Sequence, residues 1–247
     1  MTLAEVARFC LQKKSAKDRR DHLLLRAAFR PASMIPTWMF YRLGIRPNQA
    51  TALSFIVGVG GLATIGIGGG QRRLLGAGLI MLWFVLDNVD GNLAVLRGES
   101  SRLGAYFDAV NGYVMQILLL PVVGIALATT SVTGSVVPPH MWAWVGSAGG
   151  LFQGLGLLVR GAAADKAGHM QEGEGSAQLT SFSSIEVVGK NLKGFGTVSL
   201  VLVVTAAIGR LDVFLLAYVT ISFAFLLVAF LLGARALGAG SQGTAGR

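Results

Sequence analysis

The chain has 247 residues, 53% of them hydrophobic and only 13% charged, with a net charge of +9. That is not the composition of a soluble globular domain. A single cysteine, Cys10, excludes an internal disulfide.

In chain order, the first element is basic. The run KKSAKDRRDHLLLRAAFR, residues 13–30, reads as a segment lying against anionic lipid. Nucleic acid, the other partner such a run can bind, is not expected beside lipid spans. The first residues lack the apolar core and small-residue cleavage site of a signal peptide. Residues 31–46, PASMIPTWMFYRLGIR, mix aromatic, Met and Arg side chains between prolines, as expected of a short amphipathic helix in the interface.

Apolar runs then predict six spans, at 50–69, 74–97, 104–130, 141–160, 196–208 with its flanks, and 212–234, each near the ~20 residues that cross the hydrocarbon core. The fifth is short, and the third is interrupted by Asp108 and Asn111. The expected fold class is therefore all-α integral membrane: an interfacial N-terminal segment (1–46), a six-helix domain (47–235) and a flexible tail (236–247). With both termini cytoplasmic, only Arg72, Arg73 and Arg210 of the 21 Lys and Arg residues fall outside. GGGQRR and TTSVTGSVVPPH become outer loops, and residues 161–192 a polar cytoplasmic loop. Pro47 suits a first helical turn, where Asn48 or Thr51 can satisfy free amides.

The chemistry concentrates in LDNVDGNLAVLRGESSRLGAYFDAVNG, residues 86–112. Asp87 and Asp90 project from one helix face, and Ala94 continues that stripe. On the next helix Gly104, Asp108 and Asn111 or Gly112 do the same. The joining segment GESSR is so short that the two helices must be antiparallel neighbours, which brings three carboxylates into one cleft at the cytoplasmic end. Such carboxylates repel one another unless cations neutralise them. Oxygen donors without His or Cys favour Mg²⁺, Mn²⁺ or Ca²⁺. A pair of such ions invites a phosphate ligand and suits phosphoryl transfer. Two other readings compete: acids that merely pair with arginines, and the ion path of a cation-coupled transporter, against which stands the lack of repeated halves.

These residues resemble the signature of the CDP-alcohol phosphotransferases, in words Asp-two-Asp-Gly-two-Ala-Arg, eight residues, Gly-three-Asp-three-Asp. Asp87, Asp90, Gly91, Ala94, Gly104 and Asp108 stand at the required spacing, and Ser101 occupies a position where many members carry Ser. RPNQATALSF resembles the family's Pro-Asn-x-x-Thr opening of the first span, and VVGKNLKGFGT its element before the fifth. The resemblance covers about residues 30–230. It implies a membrane enzyme of phospholipid synthesis that binds two Mg²⁺ or Mn²⁺ ions through Asp87, Asp90 and Asp108. It also implies that the enzyme holds a CDP-linked donor near Asn48, Thr51, Asp87, Gly91, Ala94, Ser101 and Gly104, and releases CMP to the cytoplasm. CDP-diacylglycerol is the expected donor, because the cleft opens into the cytoplasmic leaflet.

Two positions depart from that pattern. The Arg after Ala94 is Val95, and Arg97 lies about 200° further round the helix. The last Asp, the family's candidate general base, is Gly112, with Asn111 beside it. An amide at 111 offers a metal a neutral oxygen but accepts no proton at physiological pH. Asp108 and Asn111 are thus the expected catalytic pair, and a noncatalytic CDP-lipid binder is the alternative. Arg160, Lys190 and Lys193 form a cytoplasmic cation set suited to a polar or phosphorylated acceptor. Gly58, Gly61, Gly150 and Gly154 are expected to allow close helix packing, and their small-xxx-small spacing points to a homodimer. The four tryptophans, Trp38, Trp83, Trp142 and Trp144, are expected in packing or at the interface.

Overall fold

A computed structural model of the protein describes residues 1–18, 28–99, 101–130, 137–171 and 194–242. Among these, every regular element is a helix: α1 (Leu3–Asp18), α2 (Arg30–Arg42), α3 (Pro47–Ile67), α4 (Gln71–Arg97), α5 (Arg102–Ala128), α6 (Pro139–Gln171), α7 (Phe195–Ala207) and α8 (Leu211–Gln242). Each of the six apolar runs falls on one helix, from α3 to α8. Within α3, α4, α5, Pro139–Ala162 of α6 and Leu211–Leu232 of α8, five segments are long and apolar enough to cross a membrane. Helix α7 has 13 residues, about 20 Å of rise, so it falls short of the ~30 Å core. The chain is thus all-α, and its long apolar helices fit a membrane-embedded protein. Exposed Ile56, Leu75, Leu158 and Phe230 lie on outward faces that lipid would cover.

Four differences from the sequence reading have local causes. Helix α5 runs unbroken through Asp108 and Asn111, because Asn111 is buried and hydrogen-bonded across the bundle. Helix α6 continues to Gln171, well into the stretch expected to be loop, and the run GAAAD there is rich in good helix formers. Helix α8 likewise continues past residue 235 to Gln242. The N-terminal segment contains two helices where one was expected. Helix α1 opens on a reciprocal cap, with Thr2 N–H donating to Glu5 Oε2 (2.9 Å) and Glu5 N–H donating to Thr2 Oγ1 (3.3 Å). Its Val6 and Cys10, one turn apart, are fully buried against Met34 of α2. The basic charge count had hidden this short apolar stripe.

The core gathers Trp83, Met115, Leu120, Trp142, Leu202 and Phe214 from α4 to α8. Glycines set the closest approaches. A Cβ at Gly61 would lie 3.1 Å from the Gly76 carbonyl oxygen, and one at Gly58 2.8 Å from Trp83 Cδ1. Gly150 is similarly tight against Pro121, whereas Gly154 has room, its nearest neighbour standing 3.8 Å away. Trp83 and Trp142 are buried in packing, and Trp144 is exposed.

Helix α2 is fastened beside the acidic stripe by polar contacts. Asn92, 3% exposed, donates through Nδ2 to Ser33 Oγ (3.2 Å) and Thr37 Oγ1 (3.1 Å). Both hydroxyls donate onward to α2 carbonyls, Ser33 to Arg30 and Thr37 to Ser33, so they need the amide only as acceptors. Asn92→Ala is expected to cost about 1–2 kcal/mol by removing this cross-helix link. Thermal unfolding in detergent, followed by tryptophan fluorescence, checks it; an unchanged midpoint would show that α2 is held by its apolar contacts alone.

Candidate functional site

The cleft forms where the start of α3, the end of α4 and the start of α5 meet. Helix α4 stops because Gly98 takes φ +67°, a left-handed turn that a side chain resists, with its N–H bonded to the Ala94 carbonyl. Ser101 then caps α5, its Oγ accepting from Gly104 N–H at 2.9 Å. A Cβ on Gly104 would lie 2.7 Å from Asn48 Oδ1, so glycine at this position lets α5 close on α3.

The cavity so formed holds about 380 Å³ and is lined by Pro47, Asn48, Thr51, Asp90, Gly91, Ala94, Glu99, Ser101, Gly104, Ala105 and Asp108. Every residue expected to hold the nucleotide lines it except Asp87. Of the expected acids, Asp90 is buried, Asp87 half-buried and Asp108 exposed. Asp87 lies within electrostatic range of both others.

Two of the acids are held by hydroxyl and amide donors. Thr51 Oγ1 lies 2.6 Å from Asp90 Oδ2 and 3.2 Å from the Pro47 carbonyl; its single proton goes to the nearer, charged acceptor. Asn111 Nδ2 donates to Asp87 Oδ1 and to Ser54 Oγ, both at 3.0 Å, while its Oδ1 accepts from Trp83 Nε1 at 3.1 Å. An indole N–H only donates, which fixes the orientation of the amide. Ser54 passes its own proton to the Thr51 carbonyl at 2.8 Å. The result is one polar network across α3, α4 and α5 in the apolar bundle.

That orientation bears on the expected roles. Asn111 turns its NH₂ to Asp87 and its oxygen to Trp83, so it steadies a carboxylate and presents no oxygen donor to the cleft. Asp108, on the open side, is the expected catalytic residue that lines the cavity. Gly112, one turn beyond it, has nothing within 4 Å of where a Cβ would sit. Ser101 is first of all a helix cap. Arg160, exposed, folds back on its own helix with Nε donating to the Gly156 carbonyl at 3.0 Å, and it does not line the cavity. Lys190 and Lys193 lie outside the described residues. Arg97 packs 5.7 Å over the Tyr41 ring, away from the position of the missing signature Arg.

Sequence reasoning passed over three contributors. Glu99 adds a third carboxylate to the cavity lining, beside Asp90 and Asp108; its place in the four-residue turn beside the signature was the available signal. Trp83 lies outside the quoted segments, and Ser54, though within RPNQATALSF, is not one of its Pro-Asn-x-x-Thr positions; only their packing reveals them.

Among the described residues, no three His, Cys, Asp or Glu side chains stand close enough together to hold a metal ion as arranged. By donor chemistry the cleft suits hard cations: it offers carboxylate and hydroxyl oxygens and no sulfur or imidazole. The fold and the cleft define an all-α protein of long apolar helices with an acidic, hydrogen-bonded cavity at one end. No protein-family model matches the chain, and no curated protein sequence matches it.

Proposed function

We propose that the protein is a metal-dependent transferase embedded in the cell membrane, moving a phospho-alcohol group from a CDP-linked donor, with CDP-diacylglycerol as the favoured donor. The observation that carries this reading is the convergence of the motif positions. Asn48 and Thr51 from α3, Asp90, Gly91 and Ala94 from α4, and Ser101, Gly104 and Asp108 around the start of α5 line one cavity. Residues that served only to pack three helices would not need the carboxylates of Asp90, Glu99 and Asp108 along one cavity.

In this reading, Asp87, Asp90 and Asp108 would hold Mg²⁺ or Mn²⁺ once drawn together around it, and the ion would neutralise charge on the donor diphosphate. Thr51 and Asn111 keep Asp90 and Asp87 in place. Gly91 and Ala94 leave room along α4 for the nucleotide. The acceptor hydroxyl oxygen forms a bond to the phosphorus bearing the alcohol, the bond from that phosphorus to the bridging oxygen breaks, and CMP departs with the electron pair. The hydroxyl proton leaves to solvent or to the acidic cluster. In the same reading the chain crosses the membrane six times with both termini in the cytoplasm, so that the cleft opens on the side where CDP donors are found. A homodimer belongs to the same reading.

One observation favours a second reading, a CDP-lipid binder without turnover: at Gly112 no side chain stands where the base is expected. The test uses the purified chain in lipid with Mn²⁺ and CDP-diacylglycerol, a panel of polar and phosphorylated alcohols, and measurement of CMP. Metal-dependent CMP release that EDTA abolishes is the expected result. Saturable CDP-lipid binding without CMP establishes the binder, and neither binding nor release removes both readings.

A further inference from the structure

At the opposite end of α4 from the acidic cleft lies a second cavity of about 380 Å³, between the starts of α4 and α8 and the ends of α5 and α7. Two arginines line it, Arg73 and Arg210. Arg73 is only 8% exposed. Its Nε donates to the Gly68 carbonyl at 2.9 Å, and its Nη2 to the Ala126 carbonyl and Thr130 Oγ1. Among the described residues these partners are all neutral. A buried guanidinium satisfied only by neutral acceptors keeps its full charge without compensation, which is costly at such depth.

The surroundings add to that charge. Arg72 and Arg73 stand in the first turn of α4, where the helix dipole disfavours cations, and that turn contains no acid. Arg210, with a side chain 57% exposed, grips Asp212 through Nε (3.1 Å) and Nη2 (3.2 Å). That pair cancels itself and leaves Arg73 in excess. Arg72, Arg73 and Arg210 are also the three basic residues that the charge count placed apart from all others, and distant parts of the chain bring them to this one end.

We propose that this cavity is an anion site that takes a phosphate group, with Arg73 at its floor and Arg210 at its rim. A phosphate oxygen there would accept from the open edge of Arg73 and supply the missing counter-charge. Arg210 would divide its donors between the phosphate and Asp212. The phosphate belongs either to a lipid headgroup or to a free anion.

The experiment uses the full chain in nonionic detergent with EDTA, so that no metal draws phosphate into the acidic cleft. Inorganic phosphate is titrated at constant ionic strength and the thermal midpoint followed by tryptophan fluorescence. The expected result is a saturable rise whose midpoint concentration increases about tenfold in Arg210→Gln. It decreases in Asp212→Asn, which removes the competing carboxylate, and stays put in Asp90→Asn. Opposite shifts from the two halves of one ion pair are not what loss of a structural bridge produces. In a second arm the chain is extracted from vesicles containing phosphatidylglycerol, and retained lipid is counted by mass spectrometry. Retention lost in Arg210→Gln identifies a headgroup; a phosphate response with no selective retention identifies a free anion. Equal behaviour of wild type and Arg210→Gln in both arms overturns the site.

Discussion

Asp90→Asn is expected to abolish metal-dependent CMP release, with a loss of about 10²–10³-fold or more, while the protein stays folded. Asp90 is the buried member of the acidic cluster, and it faces the cavity. Its replacement removes one negative charge where the proposed reading requires cations to bind. An amide oxygen at the same place still accepts from Thr51 Oγ1, now 2.6 Å from the carboxylate, so the α3 to α4 link survives. Metal dependence separates this from a packing effect. The variant should need far more Mn²⁺ for any residual turnover, at an unchanged thermal midpoint in EDTA. Wild-type activity in Asp90→Asn would remove the metal cluster from the mechanism altogether.

Gly112→Asp is expected to act in the other direction, raising CMP release by about tenfold or more, since a positioned general base contributes ~10²–10⁴-fold. Space for it exists, because no atom lies within 4 Å of a Cβ at this position. Replacing glycine inside a helix also removes a backbone-entropy cost, so the substitution should not unfold α5. The new carboxyl lies one turn from Asp108 on the same face. Gain of activity with a rate that rises with pH through the carboxyl range would mean that turnover had been limited by proton acceptance. No gain, with Mn²⁺ affinity improved, would mean that the added acid serves only as a ligand and that the acceptor loses its proton by another route.

Much of this architecture was legible residue by residue. Hydropathy located the helices from Pro47 onward to within a few residues at most ends, since span length is a local demand of the hydrocarbon core. The short GESSR turn foretold that α4 and α5 are antiparallel neighbours, which brings Asp90 and Asp108 to one cavity. The expected convergence of all three acids there is not seen, since Asp87 is held by Asn111 and does not line it. Helix α1 was less visible. Its Thr2 and Glu5 cap was readable, but Val6 and Cys10 form too short a stripe to stand out beside a basic run. The helical extension of α6 lay in polar sequence, where periodicity gives no signal.

The sequence by itself determined that this is a chain of long apolar helices with acids on two adjoining ones, because apolar run length and helical spacing are properties of neighbouring residues. Only the tertiary structure decided what each polar group faces. Trp83 turned the Asn111 amide so that its NH₂ holds Asp87, Thr51 took Asp90, and Arg73 and Arg210 met at the far end. These choices join residues 24 to 137 positions apart, and only the packing of α3 to α8 settles which of them share a buried space.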